Sequence, residues 1–387
     1  MNSQKLLEYF TDRREEIVNS IIELVEIESP SYDIAGSRNV ADFLENEARK
    51  ISDKFQIERI FAENYGEHFI LRTRSEIPNP KSQILLLGHT DTVHPSGTKA
   101  QNPTRIEDGK LYGCGTFDMK ANVVLMFEIL RFFAEFDLKP TRPIAILLSC
   151  DEEVGSFTGR KIVEREALKS KCCLVLEPSL NGKVKTGRKG TGMFTLKAHG
   201  IPAHAGLEPE KGASAILELS RQIEKLHTLN NLQIGTTVNV CTISGGTTTN
   251  VIPAEAECTI DVRFTSMAEA TRIENEIGNL KSFDEKVSLE LLGAINRPPL
   301  ERNENVIDLY EKMRKIALGF DYELGEAQVG GASDGNFIGV LGVPVLDGLG
   351  ISGAGAHTLE EFVFVEDIPK RAALIAAFLL DESEQPA

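Results

Sequence analysis

Five short stretches of the chain carry histidine or carboxylate side chains in settings that suit metal chemistry. They are Gly88-His89-Thr90-Asp91-Thr92, Cys150-Asp151-Glu152-Glu153, Glu177-Pro178, the loop Gly113-Cys114-Gly115-Thr116-Phe117-Asp118-Met119-Lys120, and Gly355-Ala356-His357-Thr358. Two imidazoles with three or more carboxylates match the nitrogen and oxygen ligands that zinc takes. A pair of zinc ions roughly 3.5–4 Å apart needs about five protein ligands, one of them shared, and such a pair activates water for hydrolysis. Taken singly, each stretch has a plainer reading. His-x-Asp at a strand end is commonly a hydrogen-bonded turn, and Asp-Glu-Glu a charge cluster at a helix N-terminus. Glu177 before proline suits a turn, and His357 among glycines suits an exposed loop. Convergence on one place is what would give them joint meaning.

The elements around them supply a reason to converge. Residues 84–87, 144–148 and 172–176 are short, continuous apolar runs, as expected for strands buried on both faces. Helical periodicity at 123–133 and 160–168 separates them, so the order is β-α-β-α-β. That succession predicts a mainly parallel sheet with helices on both faces. The three runs end at His89, at Asp151-Glu152-Glu153 and at Glu177. In open α/β sheets ligands bind beyond the carboxyl ends of the strands. Three strands would therefore deliver metal-type side chains to one edge, and the loops of Asp118 and His357 would add two more.

From about residue 183 the pattern changes. Phe194, Leu196 and Ala198 alternate with polar residues, as do Cys258, Ile260, Val262 and Phe264. Period-two alternation predicts an antiparallel sheet with one wet face. Helical stretches near 213–226 and 267–280 complete a β-β-α-β-β-α-β order, read as a small α/β sandwich with a four-stranded sheet. The expected division is a discontinuous catalytic domain, 1–185 and 297–387, with 186–296 inserted. Helices near 306–318 and 368–380 return to the style of the first part.

Composition narrows the partners. The 387 residues carry a formal net charge of −16, whose field repels phosphate and argues against nucleic-acid or anionic-membrane partners. Apolar residues at 41% suffice for two real cores. In the first 27 residues charges interrupt every apolar run, so neither a signal peptide nor a spanning helix is expected there. Six scattered cysteines without a Cys-x-x-Cys pair fit a reducing cytoplasm. A Walker-type loop is missing, which disfavours a nucleotide-binding reading.

Gly88-His89-Thr90-Asp91-Thr92-Val93, the Asp118-Met119-Lys120 loop, Asp151-Glu152-Glu153-Val154-Gly155-Ser156, Leu176-Glu177-Pro178, Ala203-His204-Ala205-Gly206, Asp261-Val262-Arg263 and Gly353-Ala354-Gly355-Ala356-His357 occur in this order. Together they resemble the di-zinc metallopeptidases, a family that includes bacterial glutamate carboxypeptidase, acetylornithine deacetylase and succinyl-diaminopimelate desuccinylase. The resemblance spans about residues 10–380 and is greatest to glutamate carboxypeptidase. It implies a hydrolase cleaving a peptide or N-acyl amide bond beside a free carboxylate.

Carried over position by position, the resemblance implies that His89 and Glu177 hold one zinc, Glu153 and His357 the other, and Asp118 bridges both. Cobalt or manganese are possible substitutes. Glu152 would be the general base for the metal-bridging water and the proton donor to the leaving amine. Asp91 would steady the His89 imidazole by its second nitrogen. His204 would reach a partner subunit's active site in a homodimer built by the inserted domain. Arg263 would clamp the substrate carboxylate, a task suited to a planar guanidinium, with an ion pair to Asp261 as the plainer alternative. Asn250 would lie near the substrate. The Asp118–Met119 peptide bond is implied to be cis. Cys114 and Ala121-Asn122 depart from common family residues, which bears on substrate preference more than on activity. An N-acyl-amino-acid deacylase and a non-catalytic metal-binding homologue are the competing readings.

Overall fold

The computed structural model describes residues 3–73 and 82–381. Ten strands among these residues build the principal sheet of each of two compact units. In chain order they are β1 (Gln56–Ala62), β2 (Gly66–Arg72), β3 (Gln83–His89), β4 (Ile144–Ser149), β5 (Ser170–Val175), β6 (Gly190–His199), β7 (Thr237–Gly245), β8 (Glu255–Phe264), β9 (Ser288–Arg297) and β10 (Val345–Leu346). One unit comprises Met1–Gly187, Arg302–Gln328 and Ser333–Ala387; the other comprises Arg188–Glu301 and Val329–Ala332.

The first unit holds a six-stranded sheet in the order β1-β2-β4-β3-β5-β10. Strands β4, β3, β5 and β10 run parallel, and the β1-β2 hairpin joins β4 antiparallel. The expected mainly parallel sheet is present, and the β1-β2 hairpin adds an antiparallel edge to it. In β3 every residue from Ile84 to His89 is buried. Ile84, Leu86, Ile146 and Leu174 point into a large apolar core shared with helices Ala121–Glu135, Glu304–Leu318 and Ile368–Leu380. Their neighbours Leu85, Leu87, Leu147 and Cys173 are equally buried but lie outside that core, on the side of helices Arg160–Ala167 and Gly335–Gly339. Helices thus cover both faces. The amphipathic N-terminal stripe forms two helices, Ser3–Asp12 and Arg14–Val25, parted at Arg13.

The second unit is a four-stranded antiparallel sheet in the order β7-β8-β6-β9. Helices Ala215–His227 and Met267–Gly278 cover one face, each started by a serine (Ser214, Ser266) whose side chain accepts a first-turn N–H. Along β8 the inward set Cys258, Ile260, Val262 and Phe264 is buried, as period-two alternation requires. The chain order is β-α-β-β-α-β. The extra leading strand expected near residue 183 exists as Val184–Arg188, but it pairs with Glu326–Val329 in a separate ribbon.

Candidate active site

Register places the strand-end ligands. His89 pairs with Ser149, and Leu87 pairs with Val175, so His89, the 150–153 turn and Glu177 emerge at one level of the parallel sheet. His89 Nδ1 lies 2.9 Å from the Asp91 carbonyl oxygen and 3.4 Å from its carboxylate. With Nδ1–H donated there, Nε2 is left facing Asp118 Oδ1 at 3.1 Å and Glu177 Oε1 at 3.5 Å. The other half repeats the theme. His357 Nε2 lies 3.5 Å from Asp118 Oδ2 and 3.2 Å from Glu153 Oε2. Each oxygen of Asp118 thus faces a different histidine.

Glu152 belongs to the same cluster: its carboxylate, Glu177 and His89 offer ligand atoms within 4.8 Å of one another, as do His89, Asp118 and Glu153. The turn bearing both glutamates is fixed from below. Asp91 Oδ1 accepts the N–H of Glu152 at 3.1 Å, and Oδ2 accepts the N–H of Glu153 at 3.1 Å and the Ser31 hydroxyl at 2.8 Å. Asp334 accepts the Ser149 hydroxyl at 2.8 Å and the Ser156 hydroxyl, clasping the same turn at its two ends.

The loop of Asp118 turns at Gly115 (φ 74°), where a side chain would meet Thr92 Cγ2 at 2.5 Å. The Asp118–Met119 peptide bond is cis, as the resemblance implies. Met119 Sδ accepts the His89 N–H at 3.4 Å. His357 itself adopts a left-handed backbone (φ 66°), uncommon outside glycine and typical of over-determined functional positions.

Five carboxylates, Asp91, Asp118, Glu152, Glu153 and Glu177, crowd two imidazoles. Burial works against a charged His89, but the Asp118 and Asp91 carboxylates outweigh it and raise that imidazole well above its ordinary range. Hydrogen bonds to Asp118 and Glu153 push His357 up to about 10. Burial would raise Asp118, yet the two histidines carry it well below the usual carboxylate range. Burial pushes Glu153 up. Cations set among these carboxylates would relieve the same crowding of negative charge. Among the described residues Glu153 Oε1 is buried with no hydrogen-bond partner, an orphaned acceptor that a cation would satisfy. The donor set, imidazole nitrogen plus carboxylate oxygen, fits zinc.

Asn250, His204 and Arg263 lie in the second unit. His204 is exposed, and its Nδ1 accepts the N–H groups of Gly206 and Leu207, both at 3.2 Å. The Ala205 N–H donates to the Asn250 carbonyl at 2.9 Å, tying those two loops together. Arg263 stands apart on β8, paired along its own strand with Asp261 at 2.8 Å.

A profile of peptidase family M20/M25/M40 matches residues 85–381. The chain belongs to this family. It is 26% identical over 392 residues to carboxypeptidase G2 of Pseudomonas sp. (strain RS-16), covering 97% of this chain and 91% of that one. It is 31% identical over 334 residues to succinyl-diaminopimelate desuccinylase of Nitrosomonas eutropha, covering 80% of this chain and 85% of that one. Among solved structures, aminopeptidase PepT of Bacillus cereus shares the fold at a TM-score of 0.75 and 23% identity, covering 95% and 98% of the two chains. The M20 chain is a metal-dependent hydrolase, and the motif resemblance named the right family.

Three residues of this cluster lie outside the set expected from sequence. Asp334 sits in Ser333-Asp334-Gly335, Ser31 precedes Tyr32, and Glu361 follows His357 by four positions. Glu361 is fully buried and accepts N–H groups from the Asp118 loop. Glu361 carries no local sequence signal, because its partners are mainly backbone groups, which sequence does not display.

Proposed function

We propose that this M20 hydrolase uses two zinc ions to cleave an amide bond beside a free carboxylate, in the manner of a glutamate carboxypeptidase. The observation that carries the reading is Asp118, whose Oδ1 and Oδ2 face His89 and His357 separately. His89 and Glu177 would hold one ion, Glu153 and His357 the other, and Asp118 would serve both. Bound there, the ions supply a water of lowered pKa and polarise the amide carbonyl.

The chain's own groups do the rest. Glu152, mostly buried and fixed through its backbone by Asp91, takes a proton from the attacking water. As the C–N bond breaks, the same carboxyl returns that proton to the leaving nitrogen. Arg263 receives the substrate carboxylate and Asn250 contacts its neighbourhood. His204 serves the site of a second subunit, in a homodimer made by the Arg188–Glu301 unit. Support comes from the outer strand β7, which among the described residues pairs on only one side and leaves Ile243 exposed; open strand edges are surfaces that proteins cover or use. All six cysteines are unpaired and no described helix is long and apolar enough to cross a membrane, which fits a cytoplasmic enzyme.

A deacylase acting on N-acyl amino acids is the second reading, favoured by the 31% identity to a desuccinylase. One experiment separates the two. Metal analysis of the purified protein is combined with a hydrolysis screen of N-acyl-glutamates, short peptides, acetylornithine and succinyl-diaminopimelate. Two zinc equivalents with turnover of glutamate amides supports the first reading; turnover confined to the last two substrates supports the second. Absence of bound metal and of any turnover refutes both.

A further inference from the structure

The Asp118 and His357 loops spring from neighbouring strands. Lys110–Tyr112 pairs antiparallel with Phe362–Phe364, Tyr112 opposite Phe362, in a small sheet beside the core. The first strand leads into the Asp118 loop, and the second follows the His357 loop. Glu361 occupies the junction. Its backbone carbonyl accepts the Gly113 N–H at 3.3 Å, continuing the ladder by one step.

The side chain does something a ladder cannot. Glu361 Oε1 accepts the N–H groups of Phe117 and Asp118, both at 2.8 Å. Oε2 accepts the Gly115 N–H at 3.0 Å and faces His94 Nε2 at 2.7 Å. A carboxylate with 0% of its surface exposed is tolerable only when its oxygens are so filled. Three of the four donors come from the four residues Gly115 to Asp118, and this concave set of N–H groups is an anion nest occupied by the protein's own acid. The fourth comes from the segment just beyond His89. A single side chain therefore ties together three arms of the site.

We infer that Glu361 is a positioning residue: it fixes the bridging carboxylate of Asp118 relative to His357 and so sets the geometry of the second cation position. The inference rests on the two-metal reading for its effect on cations, but not for its effect on the loop. Neutralising Glu361 would turn one acceptor oxygen into an N–H donor aimed at another donor. The turn at 115–118 would lose its anchor, and Asp118 Oδ2 would no longer be held toward His357. The His89–Glu177 half has its own supports in β3 and β5 and should feel the change less.

The test uses the full-length protein and its Glu361→Gln variant, with two readouts. In metal-stripped protein, hydrogen exchange of the 115–118 segment should quicken by about tenfold or more, the size expected for one lost charge-assisted hydrogen bond, while helix Ala121–Glu135 stays protected. In Co2+ titrations followed by visible absorption, the second equivalent should bind about 10–100-fold more weakly, with the first little changed. Unchanged exchange at 115–118 in folded E361Q overturns the inference. Faster exchange with both Co2+ equivalents bound as in the parent overturns it equally. A parent protein that takes up no Co2+ refutes the two-metal reading instead, and the exchange result still decides whether Glu361 holds the loop. Should E361Q fail to fold, E361D, which keeps the charge on a shorter stem, is judged by the same two measurements.

Discussion

Asp91 and Glu153 are joined by a bond that no side-chain inventory displays: the Glu153 backbone N–H donates to Asp91 Oδ2 at 3.1 Å. The other oxygen takes the N–H of Glu152, and the Asp91 carbonyl receives His89 Nδ1. One residue thereby orients an imidazole and two carboxylates at once. Replacing it with asparagine sets an amide N–H2 against a backbone N–H. D91N should lose about 10–100-fold in metal affinity and activity, measured by chelator competition and turnover. Wild-type affinity in D91N would show that the turn holds itself.

Glu152 gives a sharper division between binding and chemistry. E152Q keeps shape and polarity but removes the proton acceptor. Turnover should fall by roughly 10²–10⁴-fold while metal content stays that of the parent. A variant that turns over normally assigns the proton transfer to another group.

Stability of the second unit should carry a pH signature from His199. Its ring lies 3.1 Å from Glu290 and 2.7 Å from Glu255, across three strands of the antiparallel sheet. The hydrogen bond to Glu290, ahead of that to Glu255, raises its pKa above the ordinary imidazole value. A raised folded-state pKa stabilises fully below the unfolded value of about 6.5 and less as pH climbs through the folded value. The group is well exposed, so solvent screening keeps the effect small. H199Q should unfold at lower denaturant than the parent near pH 6, with the gap closing at higher pH. A gap that widens as pH rises contradicts this sign.

Shared active sites leave a signature in mixtures. H204A and E152Q should each be nearly inactive, for different reasons. If His204 acts across a two-fold interface, subunit exchange creates one site carrying both intact residues, and activity returns in part. Mixtures that stay inactive after exchange, or a protein that sediments as a monomer at working concentration, leave His204 as the turn histidine that its bonds to Gly206 and Leu207 describe.

Strand-end chemistry was the legible part of this site. His89, Glu153 and Glu177 follow apolar runs whose burial on both faces is written in Leu85, Leu87 and their neighbours. Parallel pairing then levels them without further information. Glu361 and Asp334 were illegible because their partners are N–H groups and serine hydroxyls brought close only by folding. The β1-β2 hairpin was missed for a related reason. Its outer strand is only half-buried, so Ile57 and Ile60 sit in a weak pattern that tertiary pairing completes. The strand at 184–188 was visible, but its choice of Glu326–Val329 as partner was not.

His89 lies in the first quarter of the sequence and His357 in its last tenth, yet both face Asp118. During synthesis the ribosome releases the first half-site long before the second exists. An unfinished chain holds Asp118 without the histidine and the buried Glu361 that would orient its outer oxygen. A hydrolase wired in this order cannot bring its two histidines to Asp118 before His357 has joined the chain.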